Sequence, residues 1–268
     1  MTLEKINPFF FGYSATRLFG CYHAPRPGAA RDCGIVLCYP MGHEYIVSHR
    51  AYQKLAVRLS QAGFPVLRFD FYGCGDSAGD NDQHHLGQWL ADIATAIDEI
   101  RRRGRVVKVC LVGLRLGGSL AILAGAQRGD VAGLVLWDPV ISGKTYVQQL
   151  TQIHHETLQH ADTPPSSALV KEKPTEILGF PLTDSLFADL IKLDLLAIRQ
   201  KPANNVLVIK SDPDADGGRF TEHVKSTAAQ VESQHLPGPQ LWTADVNKVL
   251  VPNQILGSVV AWMSRVYP

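Results

Sequence analysis

The sequence predicts an α/β fold in which a mostly parallel central sheet is covered by helices on both faces. Strand-like apolar runs alternate with amphipathic helices along the chain, an order typical of parallel sheets. Of the 268 residues, 46% are hydrophobic and 19% are charged, which supplies a sizeable core and argues against disorder. The length suits one large domain with residues left over for an insertion.

The elements of the first half follow from the spacing of apolar residues. Residues 8–12 and 16–23 predict a leading antiparallel pair, and residues 34–39 predict the first buried strand. A helix follows with four apolar residues on one face, and a strand over residues 65–71 then leads into a glycine-rich loop. The next helix is expected over residues 84–103, where leucine, isoleucine and tryptophan recur at helical spacing.

The second half continues the alternation. Residues 109–112 predict the next strand, and residues 133–139 predict another that Pro139 stops. A later buried strand is expected over residues 205–210, and a helix from about residue 253 closes the chain.

One long insertion interrupts this pattern. Roughly sixty residues without a buried strand precede residue 205, far more than a usual connection, and a connection of this length is usually functional. Helices are expected in it over residues 146–159 and 185–198. We therefore expect an α/β core over residues 1–140 and 205–268, with a helical lid over residues 141–204.

Charge and cysteine usage limit the class of protein. Lys and Arg number 26 against 25 Asp and Glu, so no global field favours nucleic acid or an anionic membrane. No apolar run reaches transmembrane length, and the first residues lack the pattern of a signal peptide. The five cysteines are odd in number and lack C-x-x-C spacing, which fits a reducing compartment. The sequence predicts a soluble cytoplasmic protein without a cofactor, and it leaves the oligomeric state open.

The most informative segment is the turn that follows residues 109–112. Residues 113–117 (GLRLG) have the spacing of G-x-S-x-G, a strained strand-to-helix turn that lifts its central side chain above the sheet. The central residue here is Arg115 instead of serine. Its guanidinium stays protonated at physiological pH, so it cannot act as a nucleophile.

Two further segments complete a family pattern. Residues 39–44 (YPMGHE) follow the first buried strand, and residues 68–77 (RFDFYGCGDS) contain the glycine-rich loop. Together with residues 113–117, they make nearly the whole chain resemble the α/β-hydrolase superfamily. The resemblance implies the α/β-hydrolase fold, with an oxyanion loop over residues 39–44. With residues 137–140 (WDPV), the elbow resembles a small branch that carries arginine at this position and is associated with exosortase systems and biosynthetic gene clusters.

The resemblance also implies a catalytic triad in the chain order Ser, Asp or Glu, and His. Arg115 occupies the serine position, and the histidine is expected roughly between residues 242 and 253, where the sequence has none. His235 is the nearest histidine and precedes that position. Three aspartates can fill the acid position: Asp212, Asp214 and Asp216. Loss of the nucleophile or the base costs about 10⁶ in kcat, so we expect no ordinary serine hydrolysis.

Arg115 is expected to face a pocket above the sheet together with the backbone N–H groups of Leu116 and Met41. Such donors favour a carboxylate, a phosphate or a developing enolate. We expect Arg115 to anchor or polarise a substrate carbonyl or carboxylate. The alternative is an internal ion pair with Asp138 at the end of the neighbouring strand. The two interpretations are compatible, because an oriented arginine is better placed for a ligand.

Four more residues are candidates for this pocket. His43 can act as a general acid or base with Glu44 as its orienter or a proton acceptor, or both can belong to a polar loop with local hydrogen bonds. A Cys74 thiolate near Arg115 would be activated, although no histidine is placed beside it. Tyr146 is expected on the apolar underside of the lid.

Two other motifs have structural interpretations. Asp70, Asp76 and Ser77 are expected to fix the glycine-rich loop by local hydrogen bonds. Residues 155–159 (HETLQ) begin like the zinc motif H-E-x-x-H, but glutamine takes the second ligand position and His160 falls one residue too late. We therefore expect no metal site.

Two hypotheses for function remain. The first is a non-standard enzyme that acts on an acyl compound or a carboxylate-bearing small molecule, free or tethered to a carrier protein in a biosynthetic pathway. In it, Arg115 and the oxyanion loop stabilise negative charge, and Asp214 and Tyr146 help to bind the substrate. The second is a catalytically inactive pseudo-hydrolase that uses the pocket or the lid to bind a ligand or a partner.

Overall fold

The computed structural model describes residues 6–80, 82–83, 85–159, 175–211, 216–227, 230–243 and 250–268. Its strands are β1 (Ile6–Phe11), β2 (Leu18–His23), β3 (Cys33–Cys38), β4 (Val66–Phe69), β5 (Lys108–Leu114), β6 (Gly133–Trp137), β7 (Glu176–Ile177), β8 (Phe180–Pro181), β9 (Asn205–Lys210) and β10 (Gln230–His235). Its α-helices are α1 (Gly42–Gln61), α2 (Leu86–Gly104), α3 (Leu116–Arg128), α4 (Gly143–Gln159), α5 (Asp184–Lys192), α6 (Asp216–Thr227) and α7 (Asn253–Val266).

Eight strands form one sheet in the order β1-β2-β4-β3-β5-β6-β9-β10. The pairs β1–β2 and β2–β4 are antiparallel, and every other neighbouring pair is parallel. The predicted leading antiparallel pair and the mostly parallel sheet are therefore confirmed. In a parallel sheet the carboxyl ends of the strands meet at one edge, where open α/β folds bind their ligands.

Each face of the sheet has its own apolar core because successive strand residues point to opposite sides. In β3, Val36 packs in the core that α2 and α3 cover, whereas Leu37 packs in the core that α1 and α7 cover. All six residues of β3 are buried, as a central parallel strand requires.

The chain between β6 and β9 contains α4, a short β7–β8 hairpin and α5. Helix α4 begins at Gly143, three residues before the predicted start. Helix α5 ends at Lys192, earlier than expected, because Asp194 caps a separate 3₁₀ turn over Leu195–Ala197. The hairpin has two residues per strand, too few for an alternating pattern to be visible in the sequence.

The remaining elements lie after β9. His235, the histidine nearest to the empty triad position, is the last residue of β10. Helix α6 was not anticipated. In the described part of the chain, no helix is both long and apolar enough to cross a bilayer.

Candidate functional site

The turn between β5 and α3 lies at the carboxyl edge of the sheet, and glycines allow its tight path. A Cβ atom at Gly113 would collide with the carbonyl oxygen of Gly117, and one at Gly117 would collide with the carbonyl oxygen of Cys38. The strand, the helix that follows and the end of β3 therefore approach each other at backbone distance. This close packing explains the glycine spacing of residues 113–117.

Arg115 has a strained backbone, with φ 52° and ψ −125°. A non-glycine residue in such a region costs about 1–3 kcal/mol and persists only where its surroundings hold it. The Arg115 N–H donates to the Trp137 carbonyl at 3.0 Å, and its carbonyl accepts from the Gly118 N–H at 3.0 Å and the Ser119 N–H at 3.2 Å. The elbow predicted from the sequence is therefore present, with arginine at its tip.

The Arg115 side chain is buried and pairs with Glu44. Its Nε donates to Glu44 Oε1 at 3.1 Å, and its Nη2 donates to Gln149 Oε1 at 3.1 Å. Arg115 is 8% exposed and Glu44 is 2% exposed. Nη1 makes no hydrogen bond with any residue that the structure describes, and Arg115 lines the cavity described below.

Glu44 also binds Tyr146, which reaches it from α4. The Tyr146 hydroxyl donates to Glu44 Oε2 at 2.9 Å, so each carboxylate oxygen has its own donor. Burial, together with the adjacent Glu44 carboxylate, raises the pKa of Tyr146 well above its usual range. Tyr146 therefore keeps its proton. It lies between the lid and the core as expected, but it presents a polar contact to Glu44 in addition to its apolar ring.

Two aromatic rings flank the Arg115 guanidinium. Its Cζ lies 4.5 Å from the centre of the Trp242 ring and 5.3 Å from that of Tyr146. Both distances fall within the range of cation–π attraction. Trp242 begins the segment in which the superfamily's histidine was expected. Residues 244–249 of that segment lie outside the described residues.

The alternative interpretation made Asp138 the ionic partner of Arg115, and the structure corrects this. Its carboxylate instead accepts two hydrogen bonds from Ser211, from the backbone N–H at 2.9 Å and from Oγ at 2.5 Å. Burial raises the pKa of Asp138, and the Ser211 donors, Lys210 and Arg115 oppose that rise. The sequence missed Glu44 as the partner because 71 residues separate it from Arg115.

His43 and Met41 line a small apolar hollow. The hollow is bounded by the oxyanion loop, by α4 and by the β7–β8 hairpin, whose Phe180 ring lies against Gly42. Met41 is the residue before α1, and Leu116 is the first residue of α3. The first N–H groups of a helix have no partner within it, so both positions suit an oxyanion hole.

Cys74 is not an activated thiol. Burial, together with the Asp70 and Asp92 carboxylates, raises the pKa of Cys74 to about 12. Its sulfur is therefore protonated at neutral pH, which disfavours the Cys74 nucleophile that the sequence left open. The surrounding loop is fixed locally as predicted: the Asp70 carboxylate accepts from the Asp76 N–H, and Ser77 Oγ donates to the Asp70 carbonyl at 2.6 Å.

A polar cavity of about 80 Å³ adjoins Arg115 at the carboxyl ends of β6 and β9. Its described lining consists of Arg115, Pro139, Val140, Ile141, Ser142, Thr145, Tyr146, Gln149 and Lys210. The sequence did not single out Gln149 or Lys210, although both are polar residues next to predicted elements of the site. Asp214, the candidate substrate ligand, lies outside the described residues, as does Asp212.

One tyrosine ties the elbow to the oxyanion loop. The Tyr52 hydroxyl donates to the Cys38 carbonyl at 2.7 Å and accepts from the Leu114 N–H at 2.8 Å. Cys38 ends β3, just before the oxyanion loop, and Leu114 immediately precedes Arg115. Because Tyr52 is fully buried on α1, these bonds are shielded from water.

The described residues contain no group of three or more His, Cys, Asp or Glu side chains able to hold a metal ion. His155 and Glu156 line an open groove along α4 with Val147 and Thr151. His160 lies outside the described residues.

Comparison with known proteins agrees with this architecture. The sequence profile described as Hydrolase_4, serine aminopeptidase, S33, matches residues 36–177. The human mitochondrial palmitoyl-protein thioesterase ABHD10 is 35% identical over 68 residues, which cover 25% of this chain and 21% of that protein. The chain thus matches only about a fifth of the length of this curated relative.

Two solved esterases share the fold over nearly the whole chain. The Pyrococcus furiosus esterase Pf2001 superposes with a TM-score of 0.68 at 14% identity, covering 98% of this chain and 91% of that one. Est1E from Butyrivibrio proteoclasticus, solved with bound ferulic acid, superposes with a TM-score of 0.65 at 16% identity. That superposition covers 96% of this chain and 98% of the Est1E chain. The predicted α/β-hydrolase fold is therefore confirmed.

The site combines an oriented cation with two helix-start positions, Met41 and Leu116, whose backbone suits an oxyanion hole. Glu44, Gln149 and two aromatic rings hold the Arg115 guanidinium in place. A preorganised donor of this kind stabilises negative charge without reorganising during a reaction. The arrangement can therefore polarise a carbonyl oxygen or hold a carboxylate at the cavity.

Proposed function

Because the chain belongs to the serine aminopeptidase S33 family of α/β-hydrolases, we propose that it acts on small acyl compounds, esters or thioesters, with Arg115 in the place of the serine nucleophile. Arg115 and the N–H groups of Met41 and Leu116 stabilise negative charge on the acyl oxygen. The observation that carries the proposal is the buried Arg115 guanidinium, held on a strained elbow beside a polar cavity.

The nucleophile in this proposal is water, since a guanidinium cannot attack a carbonyl. Glu44 is an unsuitable base because Arg115 and Tyr146 already occupy both of its carboxylate oxygens. We assign proton transfer to His43, which precedes Glu44 in the chain and lines the apolar hollow beside Met41. Glu44 is a positioning residue for Arg115.

A thioester substrate is favoured by the partial match to palmitoyl-protein thioesterase ABHD10. We further propose that the acyl group is presented by a carrier in a biosynthetic pathway. Comparing phosphopantetheine-linked thioesters with the same acyl groups on a simple thiol tests this: a carrier substrate should show the lower KM. Equal KM values on both would remove the carrier from the proposal.

The decisive experiment measures thiol release from a panel of short acyl thioesters. Arg115→Ala should lower kcat/KM by about 10²–10³, the loss expected when a charge-stabilising donor is removed. Arg128→Ala, at the far end of the same helix, is the matched control and should leave turnover unchanged. Unchanged turnover in Arg115→Ala would remove Arg115 from the chemistry.

A fluorophosphonate probe provides an independent check, because it labels activated serines covalently. We expect no labelling of the native protein. Strong labelling would mean that another residue acts as the nucleophile, and mapping the labelled peptide would identify it.

A second candidate function is ligand binding without turnover, and one observation favours it: Glu44 balances the charge of Arg115. A pseudo-hydrolase of this kind would bind acyl or carboxylate ligands and release no thiol. Saturable binding together with no turnover of any panel member would favour this candidate over the first.

A further inference from the structure

The cavity beside Arg115 carries a second cation that neither the superfamily pattern nor the elbow motif assigns. Lys210, the last residue of β9, lines it opposite residues of α4. Lys210 makes no ion pair or hydrogen bond through its ammonium group with any described residue. Arg115 and Lys210 are the charged residues among the described lining residues, and both carry a positive charge.

The nearby carboxylates do not neutralise this lining from within the cavity. Glu44 and Asp138 are not among the lining residues, and each is occupied behind the surface, Glu44 by Arg115 and Tyr146, and Asp138 by Ser211. The first turn of α4 adds the positive end of a 17-residue helix, because Ser142 and Thr145 also line the cavity. The described lining of this cavity therefore favours an anion.

We propose that this cavity binds a terminal carboxylate of the substrate, held by Lys210, while Arg115 polarises the neighbouring acyl carbonyl. The substrate class is then a half-ester or half-thioester of a short dicarboxylic acid. This inference rests on the proposed function, since it names the acyl group on which that function acts.

The dimensions and donors of the cavity support a short chain. About 80 Å³ accommodates several water-sized groups but no long hydrocarbon tail. Arg115 has one guanidinium nitrogen, Nη1, without a described partner, and Lys210 offers three ammonium donors. Two cations that line one cavity match the two charge-bearing oxygen groups of an ω-carboxyacyl compound in its transition state.

Binding tests the cavity directly, without requiring turnover. Titration calorimetry with malonate should show saturable binding that its uncharged analogue malonamide lacks. Lys210→Ala should weaken malonate binding about tenfold to a hundredfold, the range for losing a charge-assisted hydrogen bond. Lys210→Arg should retain most of the affinity. Lys108→Ala removes an exposed lysine at the opposite end of β5 and should change nothing.

Inorganic phosphate is the alternative oxyanion. Tighter, Lys210-dependent binding of phosphate than of malonate would assign the cavity to a phosphate group and overturn the carboxylate proposal. Equal malonate affinities for the native protein and Lys210→Ala would also overturn it, as would the absence of saturable malonate binding. Unchanged thermal unfolding midpoints would establish that the variants remain folded.

Turnover gives the specificity readout. With a malonyl or succinyl thioester, Lys210→Ala should raise KM at least tenfold with little change in kcat. With the matching butyryl thioester, both parameters should stay the same. If no thioester is turned over, the proposed hydrolysis fails while the malonate titration still decides this inference. If turnover occurs without any preference for the carboxylated acyl group, this inference fails and the proposed function stands.

Discussion

Helix α3 carries an arginine at each end, and the two are used in opposite ways. Arg128 is its last residue, where a cation offsets the negative end of the helix dipole. Its guanidinium pairs with Asp98 and Asp130 at the protein surface. Arg115 stands at the other end, where a cation opposes the dipole, and it is buried with Glu44.

The two arginines differ in how well their positions suit a cation. Arg128 obeys every local preference. Arg115 breaks three of these preferences, because it combines a positive φ, an unfavourable helix end and burial of a charge. The backbone conformation costs about 1–3 kcal/mol and the dipole about 0.3–1 kcal/mol. Concentrated violations of this kind are typical of functional positions, where neighbouring contacts offset their cost.

The largest expected difference between the two arginines appears when the carboxylate partner of each is removed. Glu44→Ala leaves Arg115 buried without its counter-charge and should lower the free energy of unfolding by about 3–5 kcal/mol. Asp130→Ala, in the exposed cluster, should cost less than about 1 kcal/mol. Urea denaturation of both variants measures the contrast. Similar losses at the two sites would mean that the buried pair is hydrated.

A smaller effect is expected from single hydroxyl groups. Tyr146→Phe removes the donor to Glu44 Oε2 and should cost about 1–3 kcal/mol, because it leaves a buried acceptor unsatisfied. Tyr72→Phe is the matched control, since the Tyr72 hydroxyl donates to Gln83 at 2.9 Å in an exposed position. Tyr72→Phe should lower the free energy of unfolding by only a few tenths of a kcal/mol. A cost for Tyr72→Phe as large as that for Tyr146→Phe would contradict the difference in burial.

Glycine should have opposite effects at the two ends of α3. Arg115→Gly should be more stable than Arg115→Ala by about 1 kcal/mol, because glycine adopts a positive φ without strain. Arg128→Gly should be less stable than Arg128→Ala by about 0.5–1 kcal/mol, because it lies in helical conformation. Comparing two variants at one position cancels the loss of the ion pair. The same sign at both ends would show that the elbow is not strained.

The smallest effect concerns the pH dependence of the exposed cluster. The Arg128 hydrogen bond, with help from Arg101, lowers the pKa of Asp130 to about 2. Its stabilisation is therefore present above the ordinary aspartate pKa of about 4 and is lost as the pH falls through about 2. The stability difference between the native protein and Asp130→Asn should shrink over this interval and stay below about 1 kcal/mol. A stability difference that does not change with pH would show that Asp130 does not titrate in this interval.

Most of the fold was predictable because parallel strands and amphipathic helices leave strong local patterns. Strand β9 occupies residues 205–210 as expected, and α7 begins at residue 253 as expected. The β7–β8 hairpin was not predictable, since two-residue strands carry no periodicity. The elbow was predictable because its glycines keep a fixed spacing in the sequence, which reflects the close approach of the turn to itself at Gly113 and to β3 at Gly117.

The contacts of the site were less predictable than its residues. Arg115, Glu44 and Tyr146 were all identified as candidates, but the ion-pair partner considered for Arg115 was Asp138, because it ends the neighbouring strand. In the structure, the Asp138 carboxylate accepts hydrogen bonds from Ser211, and α1 places Glu44 at the Arg115 guanidinium. Trp242 and Gln149 reach Arg115 from distant segments, which no local pattern records.

The Tyr52 hydroxyl has a consequence for how this site can evolve. One oxygen atom joins the Cys38 carbonyl to the Leu114 N–H, so the oxyanion loop and the elbow form a single mechanical unit. None of the atoms in that joint belongs to the side chain at position 115. The scaffold can therefore exchange the group that it displays, from a nucleophile to a cation, without losing the spacing of the backbone donors around it.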